Sequence, residues 1–283
     1  MKRIVLAVLV LIFALYGSAQ TAAEKLTAAN EAMKAQDFAK AYSLYDEAMS
    51  NLGDVQIDKA VNFNIGYAAY KIGNMEGAEK YFAKAIEGGT NVPKCYEYLA
   101  LGYSDKKEFA KSVGNFEKAI STSTEDTKSL VFNAGVTAYR GELMDKAIEF
   151  FSKSIDNGYK GETALFYKAA ILNKQGKADE YKATLELGVQ KFQGDAKIGP
   201  ALAKIYVNEG NEIYKKGAAY ITTANQQVTA GKLKTSDEGY TKEVDKAKAE
   251  FKNALVILEK AKTLDATNPN VQKLIDACSQ LLK

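Results

Sequence analysis

The chain of 283 residues carries 38 basic and 35 acidic side chains, no His and no Trp, with 47% hydrophobic and 26% charged residues. That balance is globular rather than disordered, and only 3 Pro over such a length leave room for many uninterrupted helices, so the expected class is all-α. The absence of His removes the commonest acid/base residue, the Ser-His and Cys-His nucleophile pairs and most zinc sites.

In chain order, Lys2 and Arg3 precede thirteen apolar residues, Ile4 to Tyr16, and then Gly17-Ser18-Ala19-Gln20. This is the charge, core and small-residue order of a secretory signal, and cleavage is expected after Ala19. Thirteen residues at about 1.5 Å each span roughly 20 Å, short of a hydrocarbon core of about 30 Å, so no stable membrane insertion is expected after cleavage. No Cys follows the apolar run, which leaves lipoprotein attachment without its acceptor. Without Lys2 and Arg3 the balance is 36 basic to 35 acidic side chains. With no run of Lys/Arg there is no basic face for a phosphate backbone, and no nucleic-acid partner is expected.

From residue 20 onward the sequence repeats itself. A small residue recurs at Ala29, Gly66, Ala100, Gly135, Ala169 and Gly210, at intervals of 37, 34, 35, 34 and 41. One helical turn later the same face continues at Ala32, Ala69, Tyr103, Ala138, Leu172 and Ile213. Turn signals follow at Gln36-Asp37, Gly73-Asn74, Lys106-Lys107, Gly141-Glu142 and Gly176-Lys177, so each copy is predicted to be a helical hairpin. The second helix reads small, bulky, small: Ala41/Tyr45/Ala48, Ala78/Phe82/Ala85, Ser112/Phe116/Ala119, Ala147/Phe151/Ser154 and, degenerate, Tyr181/Leu185/Gly188. Small side chains let a neighbouring helix approach while the bulky one fills the groove.

The sixth copy is interrupted. Gly210 to Ala254 is 44 residues where Gly66 to Ala78 is 12. Apolar faces run through Ile213, Ala218, Ile221 and Val228 and again through Tyr240, Val244, Ala247, Phe251, Ala254 and Leu258, which predicts a long hairpin from about 200 to 263 tipped by Gly231 to Gly239. Such an extension is expected to expose apolar stripes. Val271 to Leu282 reads as a terminal capping helix over 270–282. Cys95 and Cys278 are expected as packed thiols, too far apart in a linear array for a disulfide.

A period near 34, a small slot with an apolar residue three later, and a small-x3-aromatic second helix resemble the tetratricopeptide repeat over roughly residues 22 to 269. Asp265-Ala266-Thr267-Asn268-Pro269 is similar to the turn that closes such repeats. The resemblance implies a right-handed α-solenoid of about six hairpins over 20–283, working as a non-catalytic protein–protein interaction scaffold. With the signal, this implies the bacterial periplasm or cell envelope. The alternative is a glycan- or small-ligand-binding accessory protein of the envelope.

No cofactor motif accompanies these repeats. Glu87-Gly88-Gly89 follows a helix end, and the paired carboxylates Glu125-Asp126 and Asp237-Glu238 sit in polar, turn-like segments. By the resemblance, first helices line the partner-binding face, and the pairs beyond the +3 position point into it. Here these are Met33-Lys34, Tyr70-Lys71, Ser104-Asp105, Tyr139-Arg140, Asn173-Lys174 and Tyr214-Lys215. The candidate partner-binding residues are therefore Lys34, Tyr70, Lys71, Tyr139, Arg140, Lys174, Tyr214 and Lys215. Tyr faces with cationic tips suit an extended acidic peptide. The chaperone carboxylate clamp of the family is not supported, because its first Lys position holds Leu26, Phe63, Glu97, Phe132, Phe166 and Asn208.

Overall fold

The computed structural model describes residues 21–283, so the expected secretory signal lies outside the described residues. Thirteen α-helices and no strand occur among the described residues. The chain divides between Lys160 and Gly161 into two compact units.

The first unit holds α1 (Ala22–Lys34), α2 (Phe38–Ser50), α3 (Ala60–Lys71), α4 (Met75–Glu87), α5 (Val92–Asp105), α6 (Phe109–Thr122), α7 (Lys128–Arg140) and α8 (Met144–Asn157). Successive helices pair as four hairpins, and the hairpins stack through α2 on α3, α4 on α5 and α6 on α7. The small slots sit where a bulky residue of the second helix leans on the first. A Cβ built on Gly66 would lie 2.6 Å from the Phe82 ring, and one on Gly135 2.9 Å from Phe151. Phe82 and Phe151 are fully buried, as are Tyr45 and Phe116 in the neighbouring copies.

One turn geometry closes the hairpins. The residue seven after each of the first five slots is left-handed, with φ of 60° at Gln36, 74° at Gly73, 61° at Lys107, 57° at Glu142 and 70° at Gly176. The next N–H then donates back to the carbonyl of the +3 residue: Asp37 to Ala32, Asn74 to Ala69, Glu108 to Tyr103, Leu143 to Ala138 and, in the second unit, Lys177 to Leu172, all at 2.8–3.0 Å. This satisfies an otherwise unpaired carbonyl at each first helix end. The helices that follow are capped where the sequence allows it: Asp37 accepts from the Lys40 N–H, and Asn74 from Gly77.

The second unit holds α9 (Gly161–Lys174), α10 (Ala178–Lys191), α11 (Ile198–Thr229), α12 (Glu238–Leu264) and α13 (Pro269–Leu281). Helices α9 and α10 form a hairpin of ordinary length, α10 packs on α11, and α13 packs on α12 and α11. At 32 and 27 residues, α11 and α12 are the long pair. Their left-handed residue is Gly231, 21 rather than 7 residues after the slot Gly210, and the Lys232 N–H returns to the Gln227 carbonyl as in the shorter copies. A shift of 14 residues is about four helical turns, so the turn returns close to the same face. Gly217, at the register of the usual turn residue, lies inside α11 instead, against Phe251.

The apolar stripes of this hairpin cover one another, contrary to the expected exposure. Ile213, Tyr214, Tyr220 and Ile221 pack on a cluster that includes buried Ala247, Phe251 and Ala254. Val256 is the exposed large apolar side chain of α12, at 60%. Cys95 and Cys278 are free, buried thiols, and burial pushes Cys95 up to about 12.

Phenol–carboxylate bonds tie helices together in both units. Tyr103 donates to Glu79 at 2.7 Å and Tyr206 to Glu186 at 2.8 Å. Burial, and then the carboxylate, pushes each phenol up to about 12. An unfolded phenol near pKa 10 ionises first, so the stabilisation is complete below pH 10 and is lost as pH rises from about 10 to 12. Unfolding titrations are expected to fall over that window, and Tyr103→Phe to flatten the slope. An unchanged slope would show that the bond contributes nothing.

Candidate functional site

The candidate residues fall in both units and occupy different environments. In the first unit, Lys34 ends α1 exposed to solvent. Lys71 ends α3 with its Nζ 5.4 Å from the Phe38 ring centroid. Arg140 ends α7 in the equivalent place, its guanidinium 5.2 Å from the Phe109 ring and donating to Ser104 Oγ at 3.3 Å. Phe38 and Phe109 each open the second helix of the preceding hairpin, so an aromatic seat holds each cation at a hairpin edge while its charge stays exposed. Tyr139 is 37% exposed.

Tyr70 belongs to an aromatic cluster. Its ring lies 6.3 Å from Tyr67 and 5.2 Å from Tyr98, and Tyr67 lies 4.9 Å from Tyr98. Phe63, Tyr67 and Tyr70 form one stripe of α3, at the i, i+4, i+7 spacing that places side chains on one face. Tyr98 comes from α5, which packs directly on α3. Below them, buried Phe82 stacks with Tyr98 at 6.2 Å and supports the cluster from the core. The three tyrosines remain half-buried. Burial, with the Asp105 carboxylate next in weight, holds the Tyr70 phenol above its ordinary value, and burial does the same for Tyr98. Tyr70 and Tyr98 therefore present neutral phenols, able to donate hydrogen bonds, on the stripe that Lys71 adjoins.

Sequence reasoning named Tyr70 as a candidate and did not name Tyr67 or Tyr98. The signal for Tyr67 was present, since it lies one turn before Tyr70 on the same face. Tyr98 carried none, because it joins only when α5 lies beside α3.

In the second unit Lys174 ends α9 exposed. Lys215 pairs with Glu212 at 2.7 Å. Tyr214 lies 5.5 Å from Phe251, which turns its ring toward the other helix of the long hairpin. Among the described residues, no helix is long and apolar enough to cross a membrane.

A model of the tetratricopeptide repeat matches residues 26–93, a stretch that contains α2, α3 and α4 and most of α1. The chain is 31% identical over 160 residues to stress-induced-phosphoprotein 1 of Caenorhabditis elegans, covering 54% of this chain and 45% of that one, so it spans about half the length of this curated relative. Among solved structures it is similar to a TPR repeats protein from Bacteroides fragilis, at 18% identity and TM-score 0.39 over 93% of this chain and 100% of that one. It is also similar to the C-terminal part of a TPR repeat-containing protein from Cytophaga hutchinsonii, at 16% identity and TM-score 0.48 over 91% and 89%. The matched segment, residues 26–93, is similar to the tetratricopeptide repeat, and the slots and turns it contains recur through α10.

Proposed function

We propose that this chain is a non-catalytic interaction scaffold, exported to the bacterial periplasm or envelope, that binds an extended peptide or protein segment on the first-helix face of its first unit. The observation that carries this reading is the half-buried Tyr67–Tyr70–Tyr98 cluster beside Lys71. Rigid aromatic side chains over a packed core give large contact area at little conformational cost, and a partner carboxylate meets Lys71, Lys34 or Arg140 through charge-assisted bonds. Export is supported by Lys2-Arg3, the apolar run Ile4 to Tyr16 and the small residues after it. The curated relative's length beyond this match leaves its own partners a separate matter.

The test is a pull-down from envelope fractions run beside a glycan array, followed by binding to the purified partner. The triple variant Lys34→Glu, Lys71→Glu, Arg140→Glu is expected to weaken binding at least tenfold, since each charged hydrogen bond is worth about 1.5–3 kcal/mol and tenfold is about 1.4. The control Lys40→Glu, Lys118→Glu, Lys153→Glu, on second helices, is expected to bind within about threefold of the parent, the order of a change of about 0.5 kcal/mol at a surface site. Equal binding by two folded triple variants would sink the reading. Selective retention on the glycan array, with no protein captured, would favour the accessory carbohydrate binder instead.

A further inference from the structure

A groove in the second unit lacks a ring that the first unit supplies to itself. Leu258 leans on Gly210 as Phe82 leans on Gly66, so the repeat register places Ile257 at the position of Tyr81 and Lys260 at that of Lys84. In the preceding second helices, Leu185 stands at the position of Tyr45, and Glu186 at that of Asp46. In the first unit Tyr81 is a buried wedge, 1% exposed, whose hydroxyl donates to Asp46 at 2.6 Å. The Lys84 Nζ stands 5.4 Å from its ring centroid, and Tyr42 meets it edge-on at 6.5 Å. In the second unit the ring is replaced by the smaller Ile257, while the carboxylate and the cation are retained. Beside this position, one helical turn further along α12, a cavity of 360 Å³ opens, lined by Glu186, Val189, Leu202, Tyr206, Lys260 and Leu264 among others, with Ile257 just outside its lining.

We propose that this groove is a docking site for a partner protein segment that inserts a tyrosine flanked by an acidic residue. The ring lies on Val189, Leu202 and Leu264. Its hydroxyl donates to the Glu186 carboxylate, as Tyr81 donates to Asp46. Glu186 accepts Tyr206 through Oε1, which leaves Oε2 for the incoming phenol. Lys260 is in no ion pair with the described residues and supplies the charge that the flanking carboxylate complements. The volume is at the small end of ligand pockets, about 300–1,000 Å³, which suits one aromatic anchor. This site is separate from the aromatic face of α3 and α5 and does not depend on it.

The test uses the full chain with labelled methyl groups, and the probe acetyl-Ser-Glu-Tyr-Glu-Ser-amide beside versions with Phe or Leu at the centre. The tyrosine probe is expected to shift the Val189, Leu202 and Leu264 methyl signals saturably and to bind at least fivefold more tightly than either of the others. Ile257→Tyr, which supplies the ring from within, is expected to weaken the probe at least tenfold. Lys260→Glu is expected to weaken it at least fivefold while leaving the uncharged acetyl-Ser-Gln-Tyr-Gln-Ser-amide unaffected, and this result decides if Ile257→Tyr fails to fold. Unmoved methyl signals, equal binding of the Tyr and Leu probes, or full binding by Ile257→Tyr would each overturn the proposal. So would self-association that shifts the same methyl signals without probe, which would make a second copy the occupant.

Discussion

Phe82→Ala is expected to destabilise the protein by about 3–5 kcal/mol, the range for removing a fully buried aromatic ring, and to lower the unfolding temperature on the order of 10 °C. Phe82 is 0% exposed and leans on Gly66, so α3 and α4 meet through this ring. It also lies 5.9 Å from Phe63 and 6.2 Å from Tyr98, at an interplanar angle of 16° for the latter. Truncation therefore leaves a void under α3 and removes the floor of the tyrosine cluster. The loss should reach function as well as stability, because Tyr98 would no longer be fixed against Tyr67 and Tyr70. Thermal unfolding followed by circular dichroism measures the first effect. The second is read in the spread of the tyrosine ring signals at a temperature where the variant is still folded. The control is Val256→Ala, where the side chain is 60% exposed and truncation should cost well under 1 kcal/mol. A shift for Phe82→Ala no larger than the control's would show that this ring is not what holds the hairpin.

Gly217→Leu is expected to cost about 1–3 kcal/mol or more, by overpacking where α11 lies against the Phe251 ring. A Cβ on Gly217 would lie 2.7 Å from Phe251 Cε1 and 3.0 Å from Cδ1, and Phe251 is itself 0% exposed, so the ring has little room to retreat. The helices must separate or Phe251 must leave its rotamer, and Tyr214, 5.5 Å from the same ring, would be displaced with it. A glycine inside a helix is ordinarily unfavourable by roughly 0.5–1 kcal/mol relative to Ala, so a leucine there would stabilise an isolated helix. The two effects have opposite sign, and the close approach decides between them. Gly114 supplies the contrast, since a Cβ there meets nothing within 4 Å. Gly114→Ala is expected to stabilise slightly while Gly217→Leu destabilises. Both melting temperatures rising together would mean that α11 and α12 do not close on Phe251.

The sequence by itself determined the period, the small slots, the bulky residue opposite each slot, the hairpin turns and the terminal helix, because these follow from which face of each helix is apolar and where the backbone must reverse. Gly66 and Phe82 are 16 residues apart, as are Gly135 and Phe151, and a 3.6-residue repeat with a fixed turn brings them together without further information. Tertiary structure decided what depends on distances between faces. Gln36, Lys107 and Glu142 take left-handed conformations although none of them is glycine, since each turns the chain so that the next N–H closes the carbonyl three after the slot. Gly217 has the spacing of a turn residue yet serves as a helix contact, because α11 continues four turns further before Gly231 reverses it. Tyr67, Tyr70 and Tyr98 gather only because α5 lies beside α3, while Tyr214, alike in sequence to Tyr70, faces Phe251 inside the long hairpin. Local periodicity sets the direction of a side chain relative to its own helix axis. Whether that direction ends in solvent, on a neighbouring ring or in an open groove is fixed by the length and placement of the helix beside it.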